Sequence, residues 1–229
     1  MSLHSEIQVG TFLAYVPVHN GLDTDGKQAA YRWAGRLKQD TAMVLVGGEE
    51  FDPPIHTTDL IAREVSNGLP ARMEELFFPE DATLVPIPRA SLAVEEAMWV
   101  PDRFAHALVR HGLGRSVQRL LVRSEAVTRS STAEKGGRPN AKKHFDTMAV
   151  TQLMPETWTL ILIDDVLTKG STALGAASRL KAAFPQADVR CFVAMNACYP
   201  DKFKQTRRPQ IGTVKLWGMY GAHKELQDP

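Results

Sequence analysis

Residues 160–172, LILIDDVLTKGST, hold the densest group of side chains in this chain that could do chemistry. An apolar run ends in two carboxylates, Asp164 and Asp165, and the polar residues 168–172 then precede an alanine-rich helical pattern. This order predicts a buried strand, a tight turn and a helix. Backbone N–H groups of such a turn and of the helix N-terminus converge on an anion, and Gly170 permits its close approach.

The two carboxylates suit a different partner from the anion. Asp164 and Asp165 follow the apolar run at the expected carboxyl end of a strand, which is where open parallel sheets bind ligands. Because two acids repel a phosphate, we expect them to accept hydrogen bonds from sugar hydroxyls or to hold Mg²⁺. The segment therefore predicts a site for a phosphorylated sugar, in which the turn binds the phosphate.

The rest of the sequence predicts the sheet that must position this segment. Short apolar runs typical of buried strands occur at residues 42–46, 83–87, 117–122, 159–163 and 189–194. Helical patterns occur at residues 57–65, 103–110 and 172–184. Alternating strands and helices indicate a parallel sheet with right-handed crossovers. We therefore expect an α/β fold with a doubly wound, mainly parallel sheet.

The two ends of the chain look like additions to that sheet. We expect the α/β core to span residues 55–198. Residues 1–54 and 199–229 contain several prolines and glycines, and they are expected to form an N-terminal and a C-terminal extension. Together these extensions would make a small cap beside the sheet.

The composition is that of an ordinary globular protein. The chain has 229 residues, of which 44% are hydrophobic and 23% are charged, and this excludes a disordered chain, collagen and a coiled coil. Its cysteines, Cys191 and Cys198, are too few for a disulfide framework or a four-cysteine zinc site. This cysteine usage fits a reducing compartment, so we expect a cytoplasmic protein. No apolar segment is long enough to cross a membrane.

The formal net charge of +1 hides an uneven distribution. Residues 1–100 carry 7 basic and 15 acidic side chains, whereas residues 103–143 carry 10 basic and 2 acidic ones. A second basic cluster, from Lys202 to Lys215, contains no acidic residue. Such clusters attract a phosphorylated metabolite or a nucleic-acid backbone, although solvated helix faces and loops are an equally simple explanation.

Residues 160–172 resemble the binding motif for phosphoribosyl pyrophosphate (PRPP) of the class I phosphoribosyltransferases. Four apolar positions, Asp-Asp, two apolar positions, Thr, a variable site, Gly, a further variable site and Thr are all in place. Lys169 departs from the motif, because the family usually has a small residue there. Its ammonium could add a charge to the ribose 5′-phosphate or could point into solvent.

The resemblance implies a role for each residue of this motif. Asp164 and Asp165 would hold the ribose hydroxyls, and Mg²⁺, the expected cofactor, would reach them through the substrate. The residues implied in binding the 5′-phosphate are Thr168, Lys169, Gly170, Ser171 and Thr172. Residues 85–90, VPIPRA, are similar to the strand and turn that hold pyrophosphate in this family, with Arg89 as the cation.

The polar segment between Leu121 and Val150 is similar to the flexible-loop region of the ComF-type (competence-associated) members. The residues that carry this similarity are Arg123, Arg129, Arg138, Asn140 and Phe145. It implies a basic loop that closes over pyrophosphate, with Arg129, Lys135 and Arg138 as catalytic cations, and we expect residues 124–143 to be mobile without ligand. A disordered insertion is the alternative. The chain lacks the ComF zinc module, and residues 98–101 replace the usual Arg-Gly-Phe-Asn stretch.

The activity implied is that of a phosphoribosyltransferase, a glycosyltransferase of nucleotide metabolism. It would transfer the 5-phosphoribosyl group between PRPP and a nitrogenous base, with release or uptake of pyrophosphate. The alternative is a non-catalytic regulatory module that binds PRPP or a nucleotide and contacts nucleic acid through its basic clusters. The expected partners are PRPP or a ribonucleotide and a base, with no membrane partner. The sequence does not determine the oligomeric state, so a homodimer is an open alternative to a monomer.

Other motifs are weaker. Gly21 to Lys27 has the spacing of a P-loop, but Gln28 stands where Mg²⁺ requires Ser or Thr, so a turn before a helix from Gln28 to Lys38 is favoured. The histidines form no H-x-x-x-H pair and are expected to be surface or structural residues. Trp217 and Tyr220 could stack on a base or could serve packing.

Overall fold

The computed structural model describes residues 3–17, 23–92, 97–128 and 138–229. Its strands are β1 (Glu6–Tyr15), β2 (Ala42–Val46), β3 (Glu49–His56), β4 (Thr83–Pro86), β5 (Ser116–Val117), β6 (Leu121–Arg123), β7 (Met148–Val150), β8 (Thr159–Leu167), β9 (Asp188–Ala197), β10 (Arg207–Trp217) and β11 (Gly221–Gln227). Its α-helices are α1 (Asp25–Gln39), α2 (Thr57–Gly68), α3 (Ala71–Phe77), α4 (Val100–Arg110), α5 (Ala141–Asp146) and α6 (Ser171–Ala183).

The described part of the chain forms a mixed α/β fold around a seven-stranded sheet with the order β11-β10-β1-β9-β8-β4-β5. The adjacent strands β1, β9, β8, β4 and β5 run parallel to one another. Strands β10 and β11 add an antiparallel edge next to β1. This confirms the expected α/β class with a mainly parallel sheet. Two short antiparallel pairs, β2 with β3 and β6 with β7, lie outside this sheet.

Strand β8 divides the hydrophobic core into two layers because its side chains alternate between the two faces of the sheet. Ile161 and Ile163 belong to one buried cluster, together with side chains of α1, α2 and α4. Leu160 and Leu162 belong to the other, together with side chains of α6 such as Leu174. Helices therefore cover both faces of β8, as a doubly wound sheet requires.

Strands of both expected extensions, β1 from residues 1–54 and β10 and β11 from residues 199–229, belong to the large sheet and not to a cap beside it. Strand β1 pairs with β9 on one side and with β10 on the other, so Val9 lies opposite both Cys191 and Gly212. Its residues from Val9 to Tyr15 are all buried. A strand covered on both faces is nearly continuous in apolar residues, and this pattern is the reason that residues 6–15 belong to the centre.

Most of the predicted elements are present, with shifts at two strands. Residues 42–46 form a strand, but in the outer β2–β3 pair, where Val44 and Leu45 are 54% and 66% exposed. The predicted strand 117–122 is divided between β5 and β6, which belong to different sheets. In the region with P-loop spacing, Thr24 caps α1 and Lys27 is already helical, so the predicted helix is confirmed. No helix of the described residues is long and apolar enough to span a membrane.

Candidate functional site

The two carboxylates lie near the carboxyl end of β8, which runs further than the sequence predicts. The strand continues past the pair to Leu167, which lies opposite Asn196 of β9. The carboxyl groups of Asp164 and Asp165 lie close enough to each other to interact. Each carboxylate accepts a hydrogen bond of 2.9 Å from the backbone N–H of the next residue, Asp165 and Val166 respectively.

Asp164 occupies the more unfavourable position of the two for a negative charge. Burial raises its pKa well above the ordinary value, and the charge of Asp165 raises it further. The guanidinium of Arg123 acts in the opposite direction. A hydroxyl donor or a cation at this carboxylate would stabilise its charged form. The position therefore suits a ligand that supplies one of these groups.

Residues 168–172 make the predicted turn into α6. Gly170 is the N-cap residue, with φ of 92°, and an added Cβ would lie 2.5 Å from the side chain of Val214 on β10. Only glycine meets both demands without strain. Thr168 and Lys169 are exposed, and no side chain caps the N-terminus of α6 among the described residues. The first N–H groups of α6 are therefore available to an anion.

A buried chain of hydrogen bonds links this turn to α5. Arg123, at the end of β6, contacts His144 Nδ1 at 3.0 Å, and His144 Nε2 lies 3.2 Å from Thr172 Oγ1. Because a guanidinium only donates, Nδ1 must accept, which places the ring proton on Nε2. His144 therefore donates to Thr172 and leaves the Thr172 O–H free to donate elsewhere.

Burial determines the charge states of His144 and Arg123 in this hydrogen-bonded chain. Burial and the neighbouring guanidinium lower the pKa of His144 to about 3, so the imidazole is neutral near pH 7. Burial lowers the pKa of Arg123 to about 10, with the charge of Asp164 opposing the shift, and Arg123 remains cationic. Its Nε donates to the carbonyl of Arg89 at 2.9 Å, and its NH1 donates to Thr147 Oγ1 at 2.8 Å.

Helix α5 can hold His144 at this place because α6 has a glycine where the two helices meet. A Cβ at Gly175 would lie 2.7 Å from both the Ala141 carbonyl and His144 Cβ. Asn140 caps α5 by accepting a hydrogen bond of 2.9 Å from the Lys143 N–H. The close contact of the helices thus positions the imidazole over Thr172.

Arg89 follows β4, the neighbour of β8 in the sheet. The Ile87 N–H donates to the Ile163 carbonyl at 2.9 Å, so the segment that leads to Arg89 runs alongside the approach to the carboxylates. Its side chain is half-buried, and among the described residues its guanidinium forms no hydrogen bond or ion pair. The structure therefore brings a cation to the same edge of the sheet as the acid pair.

Of the three predicted catalytic cations, the structure describes only Arg138. Arg129 and Lys135 lie outside the described residues. Arg138 is exposed and lines the same cleft as Thr168 and Lys169. Of the segment expected to be mobile, residues 129–137 are not described, whereas Ala141–Asp146 form α5.

A second support of the turn comes from the C-terminal hairpin, β10 with β11. The ammonium of Lys224 donates to the Leu167 carbonyl at 3.2 Å and also contacts Asn196 Oδ1 and the Ala197 carbonyl. Burial lowers its pKa to about 8. Sequence reasoning missed Lys224 and His144, because neither lies near the turn in the sequence and only tertiary structure brings them there.

The fold and site define a mixed α/β protein in which β8, an inner strand of the sheet, carries two carboxylates and is followed by a tight turn into α6. No family model and no curated protein matches the sequence. Among solved structures, the chain is similar to a hypoxanthine phosphoribosyltransferase from Staphylococcus aureus, with 9% sequence identity and a TM-score of 0.35. The match covers 64% of this chain and 70% of that chain.

Proposed function

We propose that this protein binds PRPP and transfers its 5-phosphoribosyl group to a nitrogenous base, with release of pyrophosphate. One observation carries the proposal. The acid pair of β8, the turn at Gly170 and the outward hydroxyl of Thr172 follow one another at the carboxyl edge of a parallel sheet. A compound that joins ribose hydroxyls to a 5′-phosphate offers a complementary group to each of them.

The 5′-phosphate would bind at the turn. The free N–H groups at the start of α6 and the hydroxyl of Thr172 supply donors, and the helix dipole favours the negative charge. Lys169 is exposed beside them and can add its charge. The buried Arg123 holds His144, and His144 in turn donates to Thr172, which keeps the Thr172 hydroxyl directed at the ligand.

The ribose hydroxyls would bind at Asp164 and Asp165. Hydroxyl donors lower the cost of the Asp164 charge, which burial and Asp165 make unfavourable in the free protein. The same pair fits Mg²⁺, since this ion takes one or two carboxylates together with substrate oxygens. No cluster of three or more His, Cys, Asp and Glu side chains suited to a metal occurs in the described ranges, so the substrate would complete the coordination. When bound, Mg²⁺ would neutralise part of the pyrophosphate charge.

The departing pyrophosphate would lie toward Arg89, with Arg129, Lys135 and Arg138 as further cations. Negative charge grows on this group as C1 of the ribose acquires oxocarbenium character. Cations placed in advance stabilise that charge, most strongly once water is excluded. Arg89 suits this task because its guanidinium has no other partner among the described residues.

The second candidate is a regulatory module that binds PRPP or a nucleotide without turnover. The exposed Lys169 supports it, because a fixed charge at the turn strengthens ground-state binding of an anion as well as it supports transfer. Such a module would bind PRPP and release no pyrophosphate in the presence of any base.

Two measurements test the proposal. Calorimetric titration with PRPP and Mg²⁺ should show binding, and a panel of purine and pyrimidine bases scored for pyrophosphate should identify an acceptor. Absence of PRPP binding would contradict both candidates. Binding without pyrophosphate release from the whole panel would favour the regulatory module.

The double substitution Asp164→Asn and Asp165→Asn tests the ribose site. It should abolish PRPP binding and leave the protein as stable as before or more stable, because it removes two close like charges. Glu74→Gln with Glu75→Gln on α3 is the matched control, since both residues are exposed and lie outside the site. Wild-type PRPP affinity in the Asp164/Asp165 variant would remove the proposed ribose role.

A further inference from the structure

A cleft of about 1570 Å³ opens beside the turn. It extends from Thr168 and Lys169, past the carboxyl ends of β1 and β9, to the β10–β11 hairpin. Pockets for small ligands usually measure about 300–1,000 Å³. The cleft therefore has room for more than one phosphorylated sugar.

The wall of the cleft is strongly basic. Seven lysine and arginine side chains line it, against the carboxylates of Asp201 and Glu225. Glu225 is already paired with Lys215, which is outside the lining, at 2.6 Å. Lys204 and Arg208 share one carboxylate, that of Asp228, at 3.0 and 2.9 Å. The cations thus exceed the acids that face them.

Two large aromatic side chains of the same lining are exposed to solvent. Trp217 is 69% exposed and Tyr199 is 76% exposed. Trp217 contacts the ring of His223 at a centroid distance of 5.5 Å, so packing supports it from one direction and leaves most of its surface in water. Lys202 also contacts the carboxylate of Asp201 at 3.8 Å, so the cleft carries an excess of cations and not a set of unpaired ones. Exposed rings beside such an excess of positive charge are an arrangement that a folded monomer does not need for stability.

We infer that this cleft binds single-stranded nucleic acid. The cations would contact successive phosphates, and Trp217 and Tyr199 would stack on unpaired bases, which is the combination used by proteins that hold single strands. A duplex keeps its bases stacked inside and offers these rings no partner. An acidic polypeptide would match the charge but not the aromatic rings. This inference goes beyond the proposed transfer reaction, because it requires no PRPP.

The first experiment measures binding of labelled oligonucleotides of about 12 nucleotides, a length within the usual site sizes, by fluorescence anisotropy. Oligo-dT and oligo-rU serve as separate arms, which distinguish DNA from RNA. At least one should bind, and the logarithm of the affinity should fall with the logarithm of salt concentration by about 0.7 for each phosphate contacted.

The basic side of the cleft is tested by Lys202→Ala with Lys204→Ala. This variant should bind more weakly at low salt and should show a smaller salt slope. Arg72→Ala with Arg115→Ala is the matched control, because both arginines are exposed and neither lines the cleft. An equal loss of affinity in the control would overturn the assignment to this cleft.

The aromatic side is tested by Trp217→Ala and Tyr199→Ala, each of which should weaken binding about tenfold, the scale of a lost stacking contact. Trp217→Phe keeps a ring and should retain most of the affinity, which separates stacking from loss of fold. Trp158→Ala is the control, since Trp158 is 47% exposed and lies outside this cleft.

Three outcomes would overturn the inference: no binding of either oligonucleotide at low salt, equal binding of a duplex, or equal binding of polyglutamate together with unaffected ring variants. Thr168, Lys169 and Arg138 line the cleft and also belong to the proposed PRPP site. PRPP is therefore titrated into the Trp217 and Tyr199 variants as well, because these two residues lie outside that site. This titration shows whether the proposed transfer site stands when the cleft assignment fails.

Discussion

The two sides of the turn at Gly170, the proposed phosphate site, are supported in different ways. On the α5 side, Arg123 and His144 hold one side chain, Thr172, through directional hydrogen bonds. On the hairpin side, Val214 and Lys224 hold the backbone itself, at Gly170 and at Leu167. The two sides therefore have different tasks. The hairpin sets the shape of the turn, and α5 sets the orientation of a donor within it. Substitutions on the hairpin side should therefore change stability most, and those on the α5 side should change ligand binding most.

The largest effect is expected for Gly170→Ala. The added Cβ would meet Val214 at 2.5 Å, and φ of 92° is unfavourable for alanine. Together these should lower the free energy of unfolding by about 2–4 kcal/mol and abolish PRPP binding. Urea denaturation measures the first effect and calorimetry the second.

Gly218→Ala is the control for backbone strain alone, since φ is 58° and nothing lies within 4 Å of an added Cβ. It should cost only about 1–2 kcal/mol and leave PRPP binding unchanged. Equal losses of stability in both variants would show that Val214 does not shape the turn.

Lys224→Met should have the next largest effect. It leaves the Leu167 and Ala197 carbonyls and the Asn196 amide without their ammonium donor, at a cost of about 1–3 kcal/mol at pH 7. Because burial lowers the pKa of Lys224 from 10.5 to about 8, the unfolded chain binds the proton more tightly above pH 8. The contribution of Lys224 to stability should therefore rise between pH 8 and about 10.

Comparing wild type with Lys224→Met by urea denaturation at pH 7, 8 and 9.5 isolates that contribution. Lys215→Met on the neighbouring strand is the control, because its ammonium is exposed and paired with Glu225. A stability difference for Lys224→Met that does not change with pH would contradict the expected titration.

On the α5 side, His144→Phe tests the neutral imidazole. Its pKa is lowered from 6.5 to about 3, so the unfolded chain gains a proton below pH 6.5 and the folded chain does not. Wild type should therefore lose about 2 kcal/mol of stability from this residue between pH 7.5 and 5, and His144→Phe should not show that loss.

His144→Phe should also bind PRPP more weakly, since Thr172 loses the donor that orients it. His223→Phe is the control, because His223 is exposed. Urea denaturation at the two pH values and calorimetry give both results. An unchanged pH dependence in His144→Phe would show that His144 is not the buried neutral group.

The smallest change, and the most selective, is Thr172→Val. It keeps the shape of the side chain and removes the hydroxyl, so PRPP affinity should fall about tenfold, the scale of one hydrogen bond to a charged group. Stability should fall by about 1 kcal/mol, because the His144 Nε2–H loses its acceptor. Thr172→Ser keeps the hydroxyl and should bind nearly as wild type does. Equal affinity of the two variants would remove Thr172 from the binding site.

The sequence reveals the turn because its parts are consecutive. The apolar run before Asp164, the glycine at position 170 and the alanine-rich helix are local signals, and each of them appears in the structure as β8, the turn and α6. The supports are not local. His144 is 28 residues from Thr172, and Lys224 is 57 residues from Leu167. No pattern around these residues specifies which backbone or hydroxyl they meet, since sheet order determines it.

Pairing between distant parts of the sequence also explains why the sequence did not predict the place of the chain ends in the sheet. The expectation of a cap followed from the prolines and glycines of residues 1–54 and 199–229, although most residues of β1 are apolar. Its partners, β9 and β10, lie near the other end of the sequence. Composition describes the loops that flank β1, whereas its place in the sheet depends on pairing over almost the whole chain.

The position of β1 has a consequence for how this protein is made. Ribosomes deliver β1 first among the strands, yet its neighbours β9 and β10 emerge only after most of the chain has been synthesised. Pairings this distant in sequence slow folding, because a long loop must close before they form. The hairpin that shapes the turn at Gly170 emerges last of all the described strands. A nascent chain therefore carries the Asp164 motif well before the strands that support the turn are present, and the proposed ligand cannot assist the early steps of its folding.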